Sequence, residues 1–303
     1  MIASLRKVTF VGVGAIGMPM AQRIQRAGFP ITVVDLSKAR REQARALGMT
    51  AEAEPDSVAT ADSVIVMVAT PDQLRTVAIG QGGLIDRMGA GSTLIVMSTV
   101  GPGPVCDVAA ECARSDINML DIPVTGGVAR AETGELNLFA SGSQDVIASQ
   151  RELLASLGRV IECGEEVGTG QSFKAVNQLL CSVHIAAAAE GLALAERLGL
   201  DLGKVLPAIE TGAAGSWMLS DRGPRMLKGL DVTVTSTIGI FVKDSTLVCD
   251  IADRIGFDAP MVRAAQSRYL AAREAGWVDC DDSQVIQTYR IKDGQVHGQE
   301  AEG

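Results

Sequence analysis

Histidine is nearly missing from this chain: its 303 residues include two, His184 and His297. A histidine general base or a Ser-His-Asp triad therefore has few candidates. Cysteine motifs are missing as well. The six cysteines (Cys106, Cys112, Cys163, Cys181, Cys249, Cys280) are scattered, with no C-x-x-C pair and no histidine at metal-ligand spacing. That argues for reduced thiols acting mostly as small core residues, and against a zinc site or other bound metal. No apolar run reaches the ~18 residues of a membrane span, and the opening segment MIASLRKVTF enters a strand without a signal-peptide hydrophobic region. The expectation is a cytoplasmic protein with no membrane partner. Positive charge is also short: the formal balance is −9, and no basic stripe offsets it, so nucleic acid is an improbable partner.

What the chain does hold is ample core material, with 47% hydrophobic and 21% charged residues, a globular composition long enough for two domains. Short β-rich runs alternate with helical stretches up to about residue 164: 8–13, ITVVD (31–35), SVIVMV (63–68), TLIVMST (93–99), NMLDIPV (118–124), ELNLFASGS (135–143) and RVIECG (159–164). This alternation predicts a parallel sheet wound on both sides. After Gly168 the pattern becomes continuously helical. One long helix is expected over 171–198, closed by Gly199, as a spine between domains or subunits; further helices are expected near 201–211, 215–228, 238–255 and 260–275, and a loose polar tail over 292–303. The fold class is therefore α/β, with a Rossmann-type doubly wound sheet over 1–165 and an all-helical domain over 166–303 that begins with a long interdomain helix.

The first strand leads into G-V-G-A-I-G, with Gly12, Gly14 and Gly17 preceding a helix, and Asp35 closes the next strand. That context marks a dinucleotide-binding βαβ unit: the first glycine allows a tight turn, the second removes a side chain where the pyrophosphate approaches, and the third lets helix and strand pack closely. A carboxylate at Asp35 accepts a bond from a ribose 2′-hydroxyl and repels a 2′-phosphate, which favours NAD over NADP. The competing reading makes Asp35 a turn or cap residue before a helix over 37–48, a task Ser37 could also perform, and Lys38, Arg40 and Arg41 soften the exclusion of NADP. Ligands of such sheets gather beyond the carboxyl ends of the strands. The segments Ala69-Thr70-Pro71, Ser98-Thr99 and Thr125-Gly126-Gly127 are thus expected to converge on one crevice.

Two groups then bear on chemistry. Lys174 and Asn177 stand three residues apart at the start of the long helix and share a face. A helix N-terminus and partial burial both disfavour an ammonium, which suits a lysine to proton exchange; a solvated surface lysine is the alternative. Thr125, Gly126 and Gly127 offer a hydroxyl and open backbone N–H groups to a carboxylate, or form a plain turn. Lys243-Asp244 is an ion pair on a solvated face or in a cleft, Trp217 a pocket wall or a core residue. Glu190, Glu196 and His184 read as surface, subunit-contact or satisfied helix residues.

Taken together these segments resemble the β-hydroxyacid dehydrogenase family, which includes 3-hydroxyisobutyrate dehydrogenase and tartronate semialdehyde reductase. The glycine-rich turn, D-x-P-V-[ST]-G-G at 121–127, G-x-G-x-x-x-K-x-x-N at 168–177 and K-D at 243–244 stand in the family's order and spacing. The resemblance implies an NAD-dependent oxidoreductase acting on the alcohol carbon of a small hydroxy acid. It makes Lys174 the acid/base and Thr125, Gly126, Gly127 and Asn177 the substrate contacts, with Asn177 also orienting Lys174 and Trp217 at the pocket wall. Cofactor contacts are then Gly12, Gly14, Ala15, Ile16, Gly17, Asp35, Leu36, Val68, Ala69, Thr99 and Lys243. A homodimer or homotetramer is implied. Segments 184–200, 213–219, 240–244 and 281–289 look closest to the L-threonate dehydrogenase branch. Thr125 in place of a frequent Ser, and Ser245 in place of an apolar residue, depart from the family pattern. Alternatives are 3-hydroxyisobutyrate, tartronate semialdehyde or succinic semialdehyde as substrate, or a cofactor-binding interaction module without turnover.

Overall fold

Runs of aliphatic and β-branched residues form the strands of one sheet in the computed structural model, which describes residues 6–290. The strands are β1 (Val8–Val11), β2 (Ile31–Val34), β3 (Thr50–Glu52), β4 (Ser63–Val66), β5 (Thr93–Val96), β6 (Asn118–Asp121), β7 (Val124–Thr125), β8 (Leu136–Ser141) and β9 (Gly158–Gly164). Their order is β3-β2-β1-β4-β5-β6-β8-β7, with β9 pairing on β8. The six strands from β3 to β6 are mutually parallel. Strands β1, β4 and β5 are buried along their whole length, as expected where helices cover both faces.

Those helices are α1 (Gly17–Arg26), α2 (Lys38–Ala46), α3 (Pro71–Ile79), a single turn α4 (Leu84–Arg87), α5 (Pro102–Arg114), α6 (Gly127–Thr133), α7 (Gln144–Ser149) and α8 (Arg151–Ala155). The two-residue side-chain period of the strands sorts the core into two layers. Phe10, Ile65, Ile95 and Leu120 face one layer with Met20 and Ile24 of α1. Val64, Val66, Leu94 and Val96 face the other with Leu74 of α3 and Val105 and Val108 of α5.

Two details depart from the sequence expectation. Strand β3 was not anticipated; three residues are too few to show an alternation. The stretch 118–124, expected as one strand, is broken: β6 runs parallel to β5, and β7 instead pairs antiparallel with β8. Pro123 supplies the reason, since it lacks an N–H for the ladder and fixes its own φ. The sheet is accordingly mixed beyond β6, where β8 pairs antiparallel with it.

The chain divides into two units between Lys174 and Ala175. The 29-residue helix α9 (Thr169–Arg197) starts in the first and continues into the second. By length and apolar content alone α9 could cross a membrane, contrary to the expectation that no run would, yet half of its most apolar window is buried within the protein. The second unit adds α10 (Leu202–Glu210), α11 (Trp217–Met226), α12 (Ile238–Arg254), α13 (Pro260–Glu274), a 3-10 turn (Asp282–Ile286) and α14 (Gln287–Arg290). Asp201 and Ser216 cap α10 and α11 by accepting from Gly203 N and Leu219 N. Past α9, Leu200 N bonds back to Ala195 O and Gly199 N to Glu196 O, the bonding of a glycine C-cap. The core gathers Ile185, Ala189, Leu192, Leu219, Met226 and Phe241 around Tyr269, whose ring stacks on Phe241 at 5.4 Å and whose hydroxyl donates to Ser182 O. The tail over 292–303, and His297 with it, lies outside the described residues.

Candidate active site

The parallel register aligns Val34, Val11, Val66, Val96 and Asp121 across the sheet. The segments carrying Gly12, Gly14, Ala15, Ile16 and Gly17, then Asp35 and Leu36, Val68 and Ala69, and Thr99 therefore all leave the same edge. Thr125, Gly126 and Gly127 follow β6 after the Pro123 break.

The three glycines of the first turn differ in what surrounds them. Gly12 has φ +90°, and a Cβ there would lie 2.3 Å from Met67 O; no side chain fits. A Cβ on Gly17 would lie 2.4 Å from Gly12 O, so its absence lets α1 approach β1. A Cβ on Gly14 would meet nothing within 4 Å. The protein itself has no use for that empty space, but a pyrophosphate approaching the backbone does. At the adjoining end of α1, Ile16 makes no capping side-chain bond and the first turn holds no acidic residue, leaving the positive end of the helix dipole to an anion. These residues fit a dinucleotide.

Asp35 acts within the protein too. Its Oδ2 accepts from Val13 N at 2.9 Å and its Oδ1 from Ser37 N at 2.8 Å. The carboxylate thus ties the glycine turn to the end of β2, and each oxygen keeps acceptor capacity for a ribose hydroxyl. Ser37 caps α2 through Arg40 N, and Asp35 makes the turn contact that the competing sequence reading expected. Arg41 Nη1 donates to the carbonyls of Asp35 and Leu36 at 2.7 and 2.8 Å. Leu36 itself is 90% exposed. Val68 N donates to Ser98 Oγ, and Ala69 N to Gln73 Oε1.

Beyond β7, Thr125 is half-buried. A Cβ on Gly126 would press against the Arg130 side chain at 2.9 Å, while one on Gly127 would meet nothing within 4 Å. Lys174, on the second turn of α9, is only 6% exposed.

The start of α9 is held by Asp121, Gln171 and Ser141, none of which carried a role in the sequence reading. Asp121, fully buried at the end of β6, accepts from Gly168 N (3.1 Å), Gln171 N (3.0 Å) and Ser141 Oγ (3.2 Å) on Oδ2, and from Gln171 Nε2 (2.7 Å) on Oδ1. Burial pushes its carboxyl up, against the hydrogen bonds from Gln171, Ser141 and Gly168. The motif glycines are explained here. Gly168 needs φ +100°, and a Cβ on Gly170 would lie 2.5 Å from Phe139 O and 2.8 Å from Asp121 O. Only a long-range view could have singled out Gln171, since its partners lie 50 to 73 residues away.

In the second unit Asn177 is half-buried and its Nδ2 donates to Gln178 Oε1 at 2.8 Å. Gln178 Nε2 donates in turn to the buried Asp244, and Lys243 Nζ pairs with Asp244 Oδ1 at 2.7 Å. The K-D pair is therefore half inside the protein: Asp244 is buried and Lys243 remains partly exposed. Trp217 opens α11, is 52% exposed, and lies 5.4 Å below the Arg222 guanidinium; it is not a core residue.

Residues 7–167 match the family model described as the NAD binding domain of 6-phosphogluconate dehydrogenase. Residues 168–289 match that of the NAD-binding region of NADP-dependent 3-hydroxyisobutyrate dehydrogenase. The chain belongs to the family of NAD-dependent hydroxyacid dehydrogenases. Among relatives of this dehydrogenase, the L-threonate dehydrogenase of Cupriavidus necator is 36% identical, covering 94% of this chain and 96% of its own. That of Escherichia coli is also 36% identical, covering 93% and 94%. The crystal structure of 3-hydroxyisobutyrate dehydrogenase from Salmonella typhimurium superposes with a TM-score of 0.85 at 34% identity, covering 93% of this chain and 99% of that one. The dehydrogenase moves a hydride between NAD and the alcohol carbon of a small hydroxy acid.

Proposed function

We propose that this dehydrogenase oxidises L-threonate at C2 to the 2-keto acid, with Lys174 taking the hydroxyl proton. The observation that carries the substrate assignment is the near full-length likeness to L-threonate dehydrogenases of several species. For Lys174, support comes from its burial close to the carboxyl edge of the sheet, on a helix anchored there by Asp121.

In this reading residues 1–165 bind the dinucleotide, with Gly12, Gly14, Ala15, Ile16 and Gly17 at the pyrophosphate, Asp35 and Leu36 at the adenosine ribose, and Val68, Ala69 and Thr99 along the strand ends. Lys243 adds a cofactor contact. Bound NAD supplies the hydride acceptor. Lys174 Nζ accepts the hydroxyl proton as the C2–H bond breaks; in reduction the Lys174 ammonium polarises the carbonyl and returns that proton. The Thr125 hydroxyl and the N–H groups of Gly126 and Gly127 hold the substrate carboxylate, Asn177 a hydroxyl, and Trp217 walls the pocket. Residues 166–303 serve substrate binding and self-association. The exposed apolar stripe Phe173, Val176 and Leu180 on α9 supports a homodimer or homotetramer, readable by light scattering. A cytoplasmic location goes with this reading, readable by cell fractionation.

Absorbance at 340 nm with NAD, over L-threonate, 3-hydroxyisobutyrate and other small hydroxy acids, tests the substrate. L-threonate should give the highest kcat/KM. A tenfold preference for 3-hydroxyisobutyrate, about 1.4 kcal/mol of transition-state discrimination, would overturn the substrate and leave the family intact. That second reading is the one favoured by the Salmonella typhimurium structure. Lys174→Ala should lower kcat by ~10²–10⁴ with NAD still bound, and Lys174→Arg should fail too, because a guanidinium keeps its proton.

A further inference from the structure

Gln171 is 1% exposed and uses its whole side-chain amide. Its Oε1 accepts from Val100 N at 3.0 Å and Gly101 N at 2.9 Å, and its Nε2 donates to Ser98 O at 3.0 Å and to Asp121 Oδ1 at 2.7 Å. Three of those groups bracket Thr99 on both sides. The fourth is the carboxylate that also holds the backbone N–H groups of Gly168 and Gln171. Ser141 completes the cluster, accepting from Gly170 N at 3.0 Å while donating to Asp121. One buried knot therefore joins the loop after β5, the end of β6 four residues before Thr125, and the first turn of α9. Lys174 lies three residues beyond Gln171, on the same side of that helix.

We propose that Gln171 and Asp121 are positioning residues that set Lys174 in register with Thr99 and with the Thr125 turn. The proposal rests on Lys174 being the acid/base group. Neither residue touches substrate; both act through the segments they tie together. An amide is suited to this task because it presents an acceptor to two N–H groups and a donor to two oxygens at once, which no other uncharged side chain of that reach can do except asparagine, one methylene shorter. Close positioning matters because catalysis by a held group decays steeply with misplacement.

A second buried glutamine supplies the control. Gln150 is also fully buried and bonds Ser63 Oγ and Thr93 Oγ1. Those partners begin β4 and β5, at the opposite edge of the sheet. Gln171→Met removes four buried side-chain hydrogen bonds and Gln150→Met two, and both should lower the melting temperature, Gln171→Met by more. Only Gln171→Met should also lower kcat, by tenfold or more with L-threonate and NAD, while the KM for L-threonate moves less than threefold. In Gln171→Glu the carboxylates at 121 and 171 repel; adding Asp121→Asn restores a donor between them and should recover at least threefold in kcat. Should Gln171→Met not fold, Ser141→Ala carries the same test in milder form, with an expected kcat loss of threefold or more.

A folded Gln171→Met enzyme with kcat within twofold of the parent overturns the proposal, as does an equal kcat loss in Gln150→Met, or an unchanged kcat in Ser141→Ala where Gln171→Met does not fold. Lys174→Ala, assayed alongside, separates this from the parent reading. If Lys174→Ala keeps more than a tenth of the activity, the acid/base assignment is what fails. If it collapses while Gln171→Met does not, the positioning role fails alone.

Discussion

Asp121 in the first unit meets uncharged donors, two backbone N–H groups, an amide and a hydroxyl, whereas the buried carboxylates of Asp281 and Asp282 in the second unit meet guanidiniums. Arg222 grips Asp282 with two bonds, at 3.1 and 2.9 Å, and also reaches Asp221. Arg225 bonds Asp281 and Asp221, and Asp281 in turn accepts from Thr235 N and Oγ1. Burial pushes the Arg222 guanidinium down, but the charges and hydrogen bonds of Asp282 and Asp221 outweigh it and raise it. The first arrangement fixes backbone segments to each other at the sheet edge. The second pins the 3-10 turn after α13 to α11 by charge, and its loss exposes an uncompensated ion instead of a missing hydrogen bond.

The contrast predicts a sharp asymmetry. Asp282→Ala leaves the buried Arg222 guanidinium without its two-bond partner, with the partly exposed Asp221 still beside it, and should cost ~3 kcal/mol in urea unfolding of the second unit. Replacing both partners together, Arg222→Met with Asp282→Leu, should cost far less. Equal losses from the single and double changes would mean that shape, not charge, holds this region. In the first unit Gly12→Ala forces a Cβ onto Met67 O and should cost about 1–3 kcal/mol. Gly14→Ala should leave unfolding within ~0.5 kcal/mol of the parent, yet weaken NAD binding at least tenfold by fluorescence titration. A stability loss at Gly14 matching that at Gly12 would erase the distinction drawn between them.

Acid separates Asp281 from Asp121 by sign. Burial raises Asp281, but hydrogen bonds from Ser283, Thr235 and Arg225, with the Arg225 charge, leave its carboxyl below the ordinary value of 3.8. Folding favours its ionised form, so its contribution is full above about pH 4 and is lost as pH falls through the depressed value. Asp121 lies above its ordinary value, so its contribution is full at low pH and fades as pH rises. Melting temperatures below pH 4 should therefore fall less steeply in Asp281→Asn than in the parent; an unchanged slope would remove Asp281 from the account. The smallest effect concerns the cofactor. Asp35→Asn should narrow the preference for NAD over NADP in kcat/KM, and a parent enzyme equally efficient with both would show that Asp35 exerts no such repulsion.

Local chemistry was readable in the sequence wherever neighbours in the chain supply the cause. The glycine turn, the cap at Ser37 and the closure of α9 at Gly199 all depend on residues within a few positions of one another. What stayed hidden depends on distance. Nothing near Gln171 announces that its amide will bond groups on two strand ends, and nothing near the D-D pair at 281–282 announces Arg222 and Arg225, some 56 to 60 residues earlier, which close on it. Pro123 is the intermediate case: its residue type foretells the break in 118–124, which the apolar pattern around it concealed.

Gly14 has one more consequence, for how substitutions in this chain are read. At Gly12, Gly17 and Gly170 an added methyl would strike backbone atoms of the protein itself, so a survey of variants scored for abundance or for turnover would reject the same changes at all three. At Gly14 the two scores should part, with alanine accumulating normally in the cell and failing to sustain metabolism. Selection at Gly14 would then report the cofactor more than the fold, which helps to tell a descendant that still uses a dinucleotide from one that has kept only the fold.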